Sequence, residues 1–117
     1  MARVMIVDDE PLIAMLAEGW LEDLGHQVVG PAHDLQSALR LTTEPMDAAI
    51  LDVSLGADNS YQVARLLRER NIPVAFATGH APEAVGDEFA GAMTLAKPFS
   101  FETFSSVLSA MISGRGA

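Results

Sequence analysis

Three aspartates and one lysine in this sequence follow short apolar runs, and their side chains could hold a divalent cation. Asp8 and Asp9 come directly after one run, Asp52 directly after another, and Lys97 after a third. Carboxylates gathered in one place repel each other unless a positive charge lies among them. Lys97 is the only lysine of the chain, so three acids and one lysine leave two net negative charges. One Mg²⁺ would neutralise that charge, and the set therefore predicts a magnesium site.

A hydroxyl group joins this set, because Thr78 ends a further apolar run in the sequence Phe-Ala-Thr-Gly. A carboxylate can act as a nucleophile toward phosphorus and form an acyl phosphate. Transfer of a phosphoryl group needs mainly positioning and neutralisation of its equatorial oxygens. A cation held by carboxylates, a lysine ammonium and a hydroxyl donor can supply both. Taken singly these residues are weak signals, since an aspartate after a strand is commonly a turn or cap residue.

Strand-like and helix-like segments alternate along the chain and would position these groups. Short continuous apolar runs predict buried strands, and apolar residues at helical spacing predict helices packed on them. The predicted strands are Arg3–Asp8, Gln27–Gly30, Ala48–Asp52, Val74–Ala77 and Ala92–Ala96, and the predicted helices begin at Pro11, Leu35, Tyr61, Pro82 and Phe101. The apolar face predicted for the first helix consists of Ile13, Leu16, Ala17, Trp20, Leu21 and Leu24.

Five strands that alternate with five helices predict an α/β fold, a three-layer sandwich with right-handed crossovers. The simplest parallel sheet with one switch point near the first strand has the order 2-1-3-4-5. In that order the first strand lies beside the third, and the carboxyl ends of the strands form one edge. Asp8, Asp9 and Asp52 therefore meet there, next to a predicted loop over Ser54–Ser60.

Length and composition exclude several classes of protein. A chain of 117 residues, half of them apolar, predicts a single folded domain over 1–117 with a frayed tail over 113–117. The net charge of −9 argues against a nucleic-acid partner, and the absence of cysteine excludes disulfides and zinc–thiolate sites. No apolar stretch approaches the ~20 residues of a membrane span, and the N-terminus leaves no room for a signal peptide. We therefore expect a cytoplasmic location and no membrane partner.

In their order and spacing these motifs resemble the receiver domain of two-component response regulators, over nearly the whole chain. The resemblance implies a flavodoxin-like receiver fold in which Asp52 is the phosphoacceptor. It also implies that Asp8, Asp9 and the backbone carbonyl of Ser54 complete the Mg²⁺ site with Asp52. The remaining residues that it implicates bind the phosphoryl group or support those that do: Thr78, Gly79, Lys97 and Pro98, the last two joined by a cis peptide bond.

The same resemblance implies the partners of the protein. A histidine kinase or a histidine phosphotransferase would donate the phosphoryl group, and a downstream protein would bind the face of helix 4, strand 5 and helix 5. The chain would be a monomer or weak dimer and no enzyme beyond its own phosphorylation and dephosphorylation. It could be a whole protein or a domain of a larger regulator or hybrid kinase.

Some positions depart from the usual receiver pattern. Thr94 stands where many receivers carry a switching aromatic residue, Gly56 where they carry proline, and Ser60 where glycine is common. The run Phe76–Gly79 resembles a subgroup of stand-alone alphaproteobacterial receivers. Without an aromatic residue at position 94, we expect the predicted helix Pro82–Gly91 to be the part that moves on phosphorylation.

Two other functions compete with the receiver interpretation. A magnesium-dependent phosphohydrolase of the haloacid dehalogenase type also combines aspartate, a hydroxyl and lysine. Its nucleophile, however, follows the first strand and has a second aspartate two residues later, whereas Ser54 is two residues after Asp52. A receiver that only binds partners would not need the complete set of acids, threonine and lysine. No P-loop pattern supports nucleotide hydrolysis.

Overall fold

A computed structural model describes residues 1–79, 87–89 and 91–115 of the chain. Five parallel strands form one sheet in the order β2-β1-β3-β4-β5, which confirms the predicted α/β fold and strand order. The strands are β1 (Arg3–Val7), β2 (Gln27–Ala32), β3 (Ala48–Asp52), β4 (Val74–Thr78) and β5 (Met93–Ala96). The helices are α1 (Pro11–Asp23), α2 (Leu35–Leu41), α3 (Tyr61–Glu69) and α4 (Phe101–Arg115). Among the described residues, no helix is both long and apolar enough to span a membrane.

Both faces of the sheet are covered, which explains why its strands are continuous apolar runs. Successive side chains of a strand point to opposite faces. Met5 and Val7 accordingly belong to the core cluster shared with α2 and α3, whereas Val4 and Ile6 belong to the cluster shared with α1 and α4. All five residues of β3 are buried. The central strand is thus a rigid support for the aspartate at its end.

Three helices begin with a local signal in their first turn, either a capping side chain or a proline. The Oδ1 atom of Asp34 accepts a hydrogen bond of 2.8 Å from the backbone N–H of Ser37, at the start of α2. The Oγ atom of Ser100 accepts one of 3.1 Å from the N–H of Thr103, at the start of α4. Pro11 occupies the first turn of α1, where its missing N–H costs nothing. These three helix starts agree with the sequence.

The apolar face predicted for α1 is partly wrong. The helical period predicts that Leu16 faces inward, but Leu16 is 46% exposed. The residues of α1 that are fully buried are Ala14, Ala17 and Leu21. This narrow stripe repeats at intervals of three and four residues, so Leu16 projects to the other side of the helix. The sheet-facing side therefore combines two alanines with Leu21.

The segment after Asp52 is not a simple loop as predicted. Residues Ser54–Leu55 pair with Asp58–Asn59 as a short antiparallel hairpin. Gly56 forms its turn with a φ of +65°, a conformation that favours glycine. Leu55 is only 4% exposed and holds the hairpin against the core.

Several element boundaries also differ from the prediction. β2 runs on to Ala32 through a cis peptide bond between Gly30 and Pro31, as an edge strand that tolerates proline. The described part of the chain contains four α-helices instead of five. The predicted helix Pro82–Gly91 lies mostly outside the described residues, which include only a 3₁₀ turn at Asp87–Phe89 and Gly91. Residues 113–115, expected in a frayed tail, belong to α4.

Candidate functional site

The carboxyl ends of four neighbouring strands bring the predicted residues together at one edge of the sheet. Val7 of β1 pairs with Leu51 of β3. Asp8, which follows β1, and Asp52, the last residue of β3, therefore lie at the ends of adjacent strands. Thr78 ends β4 and pairs with Ala96, the residue before Lys97. The side chains of these groups are screened from solvent, since Asp8, Asp52 and Thr78 are only 4–5% exposed. This edge is where open parallel sheets bind ligands.

Lys97 is the positive centre of the site. Its Nζ atom lies 2.9 Å from Asp8 Oδ2 and 3.1 Å from Asp52 Oδ2. A third carboxylate, that of Glu10, approaches with its Oε1 atom at 3.2 Å. An ammonium group has three N–H donors, and these three carboxylates can accept all of them. The structure therefore brings Lys97 into direct contact with two of the three predicted aspartates, Asp8 and Asp52.

Backbone groups hold the aspartates in place. Asp8 Oδ1 accepts a hydrogen bond of 2.9 Å from the N–H of Glu10. Asp9 Oδ2 accepts one of 3.0 Å from the N–H of Gly56, at the turn of the hairpin. Asp52 Oδ1 lies 3.4 Å from the N–H of Ser54. The loop after β1 is thus tied to the segment after β3, and the hairpin has a defined role at the site.

The acids at this edge fit a hard divalent cation. Asp8, Asp9, Glu10 and Asp52 each offer a carboxylate oxygen, and these atoms lie within 4.8 Å of one another. Mg²⁺ prefers such oxygen ligands, with water completing its shell. Four carboxylates and one lysine carry three net negative charges. This is one more than the two expected from three aspartates and Lys97, because Glu10 joins the set. One Mg²⁺ would leave a single negative charge.

Glu10 is a site residue that the sequence interpretation missed. In the sequence, its place directly after Asp8 and Asp9 indicates only the start of a helix. The structure makes it the residue before α1 and turns its side chain toward Lys97. Its adjacency to two aspartates in one loop was the available signal, but contact with a residue 87 positions away needed the fold.

Burial and charge shift the ionisation of the central pair. Burial is the largest cause that raises the pKa of Asp52, and the charge of Asp8 adds to it, while the hydrogen bond from Lys97 opposes both; the net pKa is about 7. For Lys97, burial lowers the pKa, but hydrogen bonds to Asp8 and Asp52 outweigh it and the net shift is upward. The lysine therefore stays charged, and the excess negative charge of the site acts on the pKa of Asp52.

A cavity of about 400 Å³ lies in front of Asp52. It is large enough for a phosphoryl group, and the groups around it are acid, hydroxyl and ammonium. The peptide bond between Lys97 and Pro98 is cis, as the resemblance implied. The residues that line the cavity are Glu10, Ile13, Asp52, Val53, Ser54, Thr78, Gly79, Lys97 and Pro98.

An aromatic cluster lies close to the position where the switch residue is missing. Thr94 pairs with Phe76 of β4. The Phe76 ring lies 5.8 Å from the ring of Tyr61 and 5.1 Å from that of Phe89, between ring centroids. Arg68 covers Phe89, with its guanidinium carbon 4.3 Å from the ring centroid. The aromatic contacts of this region are thus made from β4, α3 and the 3₁₀ turn.

Comparisons with known proteins give the family. The family model described as the response regulator receiver domain matches residues 4–109. The phyllosphere-induced regulator PhyR of Methylorubrum extorquens is 35% identical over 113 residues, which span 92% of this chain and 42% of PhyR. The chain therefore spans less than half of that curated relative.

Two solved structures of SdrG match along nearly the full length of their chains. The solution structure of SdrG from Sphingomonas melonis Fr1 is 40% identical, with a TM-score of 0.84, over 96% of this chain and 97% of that one. The beryllofluoride-activated conformation of SdrG from Pseudomonas melonis Fr1 is 41% identical, with a TM-score of 0.79, over 94% and 95%. Fold, site geometry and sequence agree, and the chain belongs to the receiver domains of response regulators, the receivers of two-component signalling.

Proposed function

We propose that this receiver accepts a phosphoryl group on Asp52 in a magnesium-dependent reaction and thereby switches the binding of a partner. The position of Asp52 supports this most strongly. Its carboxylate is buried at the end of the central strand, beside the only lysine of the chain, and faces the cavity. The family match leaves the alternative of a haloacid dehalogenase-type phosphohydrolase without support.

The chemistry follows from the groups around the cavity. A carboxylate oxygen of Asp52 forms a bond to phosphorus, while the bond between phosphorus and the donor's leaving atom breaks and the leaving atom keeps its electron pair. Lys97 and the Thr78 hydroxyl donate hydrogen bonds to the phosphoryl oxygens, from neighbouring strand ends. Asp8, Asp9, Asp52 and the backbone carbonyl of Ser54 would hold Mg²⁺. When bound, the cation neutralises charge on the oxygens of the phosphoryl group that is transferred.

Labelling with a small phosphodonor tests this proposal. Wild-type protein incubated with acetyl phosphate and Mg²⁺ should gain an acyl phosphate, detected by intact mass spectrometry. The Asp52→Asn variant should gain none, and Asp9→Ala should lose labelling while keeping its circular dichroism spectrum. Asp23→Asn serves as the control, because Asp23 is exposed at the far end of α1. Equal labelling of wild type and Asp52→Asn would show that the assignment of the acceptor is wrong.

We place the docking of the phosphodonor protein on the outer side of α1. Leu12, Met15 and Leu16 are 78%, 62% and 46% exposed, an unusual amount of apolar surface for one helix. They lie on the first turns of α1, and Glu10, directly before this helix, and Ile13, within it, line the cavity. A protein that brings a phosphohistidine to Asp52 must cover this rim. A histidine kinase or histidine phosphotransferase is therefore the partner that fits it.

Comparison of two donors separates docking from chemistry. The double variant Leu12→Ala, Leu16→Ala should accept the phosphoryl group from its kinase about tenfold more slowly, as expected for two exposed interface anchors. Its labelling by acetyl phosphate should be unchanged. Met93→Ala is the control, since Met93 is 39% exposed on β5, on the other side of the molecule from α1. Equal loss with both donors, or no loss with the kinase, would contradict docking on α1.

The remaining expectations from the sequence stay proposals. We propose that the downstream protein binds the face of β5 and α4 with the segment before β5. We further propose that the protein acts in the cytoplasm, as a monomer or weak dimer, and catalyses only its own phosphorylation and dephosphorylation. The likeness to SdrG along nearly its full length supports membership of the subgroup that carries the Phe-Ala-Thr-Gly motif.

A further inference from the structure

We propose that Glu10 competes with the phosphoryl group for Lys97, and thereby limits the labelling of Asp52 by small anionic donors. Glu10 is a positioning residue in this view, because it acts on the phosphoryl group through the lysine. The inference rests on the proposed role of Asp52 as the phosphoacceptor.

The backbone of Glu10 is fixed while its side chain is turned to the site. Its N–H donates to Asp8 Oδ1 at 2.9 Å, and its carbonyl oxygen accepts from the N–H groups of Ile13 and Ala14, both at 3.1 Å. The residue precedes α1 but makes no side-chain cap bond with the helix. Its carboxylate instead reaches Lys97 at 3.2 Å. The contact with the lysine is therefore the only hydrogen bond that the structure shows for this carboxylate among the described residues.

Lys97 has too few N–H donors to bind a phosphoryl oxygen in addition to its present partners. Lys97 has three N–H donors, and carboxylate oxygens of Asp8, Asp52 and Glu10 occupy them. A phosphoryl oxygen would be a fourth acceptor, so one carboxylate must give up its bond. The side chain of Glu10 is 61% exposed, whereas Asp8 and Asp52 are 5% and 8% exposed. Water can replace the lysine at Glu10 at the smallest cost, because a buried acceptor left unpaired is far more expensive.

The charge of Glu10 adds to this effect at the entrance of the cavity. Glu10 lines the cavity together with Asp52, Thr78 and Lys97. A donor such as acetyl phosphate is an anion, and a fixed carboxylate at the entrance repels it. Because Glu10 is exposed, solvent screens the interaction and the expected effect is a small multiple in rate.

The test compares Glu10→Gln, which keeps the shape and the backbone hydrogen bonds, with wild type at saturating Mg²⁺. Labelling by acetyl phosphate should be about two- to fivefold faster, the range of a solvent-exposed ion pair. Beryllofluoride should bind tighter by a similar factor, measured by the fluorescence of Trp20 on α1. Glu22→Gln is the matched control, because it removes the same charge from the exposed far end of the same helix. No change in Glu10→Gln, or an equal change in Glu22→Gln, would overturn the proposal.

A double-mutant cycle shows whether Glu10 acts through the lysine. In a Lys97→Met background, with Lys97→Gln in its place if that variant does not fold, Glu10→Gln should accelerate labelling clearly less than in wild type, because only the repulsion at the entrance remains. An acceleration of the same size in both backgrounds would mean simple charge repulsion and would overturn the role of Lys97.

The metal-free protein supplies a readout that does not depend on phosphorylation. The same cycle measured by urea unfolding should show a stabilising coupling between Glu10 and Lys97. If wild type and Asp52→Asn were labelled alike, the proposed function would fail while this coupling could still be present. If Asp52 is labelled but the coupling is absent, only the inference on Glu10 fails.

Discussion

Two groups of ion pairs on this molecule differ in burial and in the ratio of positive to negative charges. At the carboxyl edge of the sheet, one lysine is shared by three carboxylates, and Lys97 and Asp8 are only 10% and 5% exposed in their side chains. On α3, Arg65 meets Glu88 through two hydrogen bonds of 2.8 and 2.9 Å. That pair is matched one to one and is 52% and 41% exposed. The two groups contain the same kinds of charge but differ in surroundings.

The difference separates a structural contact from a functional one. An exposed, balanced pair gains little from its attraction, because water solvates both charges almost as well. A buried set with excess negative charge costs stability, since desolvation and like charges both disfavour it. Such a set persists where a bound ligand relieves the repulsion between its charges. Strongly shifted pKa values mark functional sites for the same reason. The carboxyl edge has this character, and the α3 pair does not.

The largest expected effect is that of removing the only cation of the buried set. Lys97→Met should lower the free energy of unfolding of the metal-free protein by about 2–3 kcal/mol, because Asp8 and Asp52 lose their partner. Urea unfolding with EDTA present measures this. Added Mg²⁺ should restore much of the loss, by about 1–2 kcal/mol at ten to twenty times its dissociation constant. A loss below about 0.5 kcal/mol would mean that the lysine does not hold these carboxylates together.

Neutralising Asp52 should have a smaller effect of opposite sign that depends on pH. Its pKa is raised from 3.8 to about 7 in the folded protein, so its contribution to stability is complete below about pH 4 and is lost as the pH rises through 7. Metal-free Asp52→Asn should therefore match wild type near pH 4 and exceed it by a margin that grows as the pH rises to about 7 and is constant above that. A shift of this size corresponds to at most about 4 kcal/mol, which relaxation and solvent at the edge reduce to about 1–2 kcal/mol.

Melting temperatures of wild type and Asp52→Asn across pH 4.5–8.5 measure that difference. Asp58→Asn is a control, because Asp58 is exposed in the neighbouring hairpin. A difference between Asp52→Asn and wild type that is constant over this pH range would contradict the raised pKa.

The smallest expected effect belongs to the exposed pair. Arg65→Ala should change the free energy of unfolding by less than about 0.5 kcal/mol, in metal-free and in Mg²⁺-loaded protein alike. Arg40→Ala, an exposed substitution on α2, gives the background for comparison. A loss above about 1 kcal/mol at Arg65 would remove the contrast between the two groups of ion pairs.

Prediction from sequence was most successful where a local pattern repeats or ends abruptly. Short apolar runs located the five strands, and Asp34 and Ser100 marked the starts of α2 and α4. It was less successful where the tertiary environment decides. Leu16 follows the helical period but is exposed, because the buried stripe of α1 formed by Ala14, Ala17 and Leu21 leaves it on the outer side of the helix. The hairpin after Asp52 has too few residues to carry a strand pattern.

The sequence by itself determined the fold class and the set of groups at the site. A buried parallel sheet requires continuous apolar strands, and polar residues at their ends must lie at its edge. It could not determine which oxygens share Lys97, because that depends on distances between strands and on the direction of each side chain. Only the tertiary structure decided that Glu10 joins the set and that Asp9 is held by Gly56. Both are contacts between residues far apart in the chain, and no local pattern encodes them.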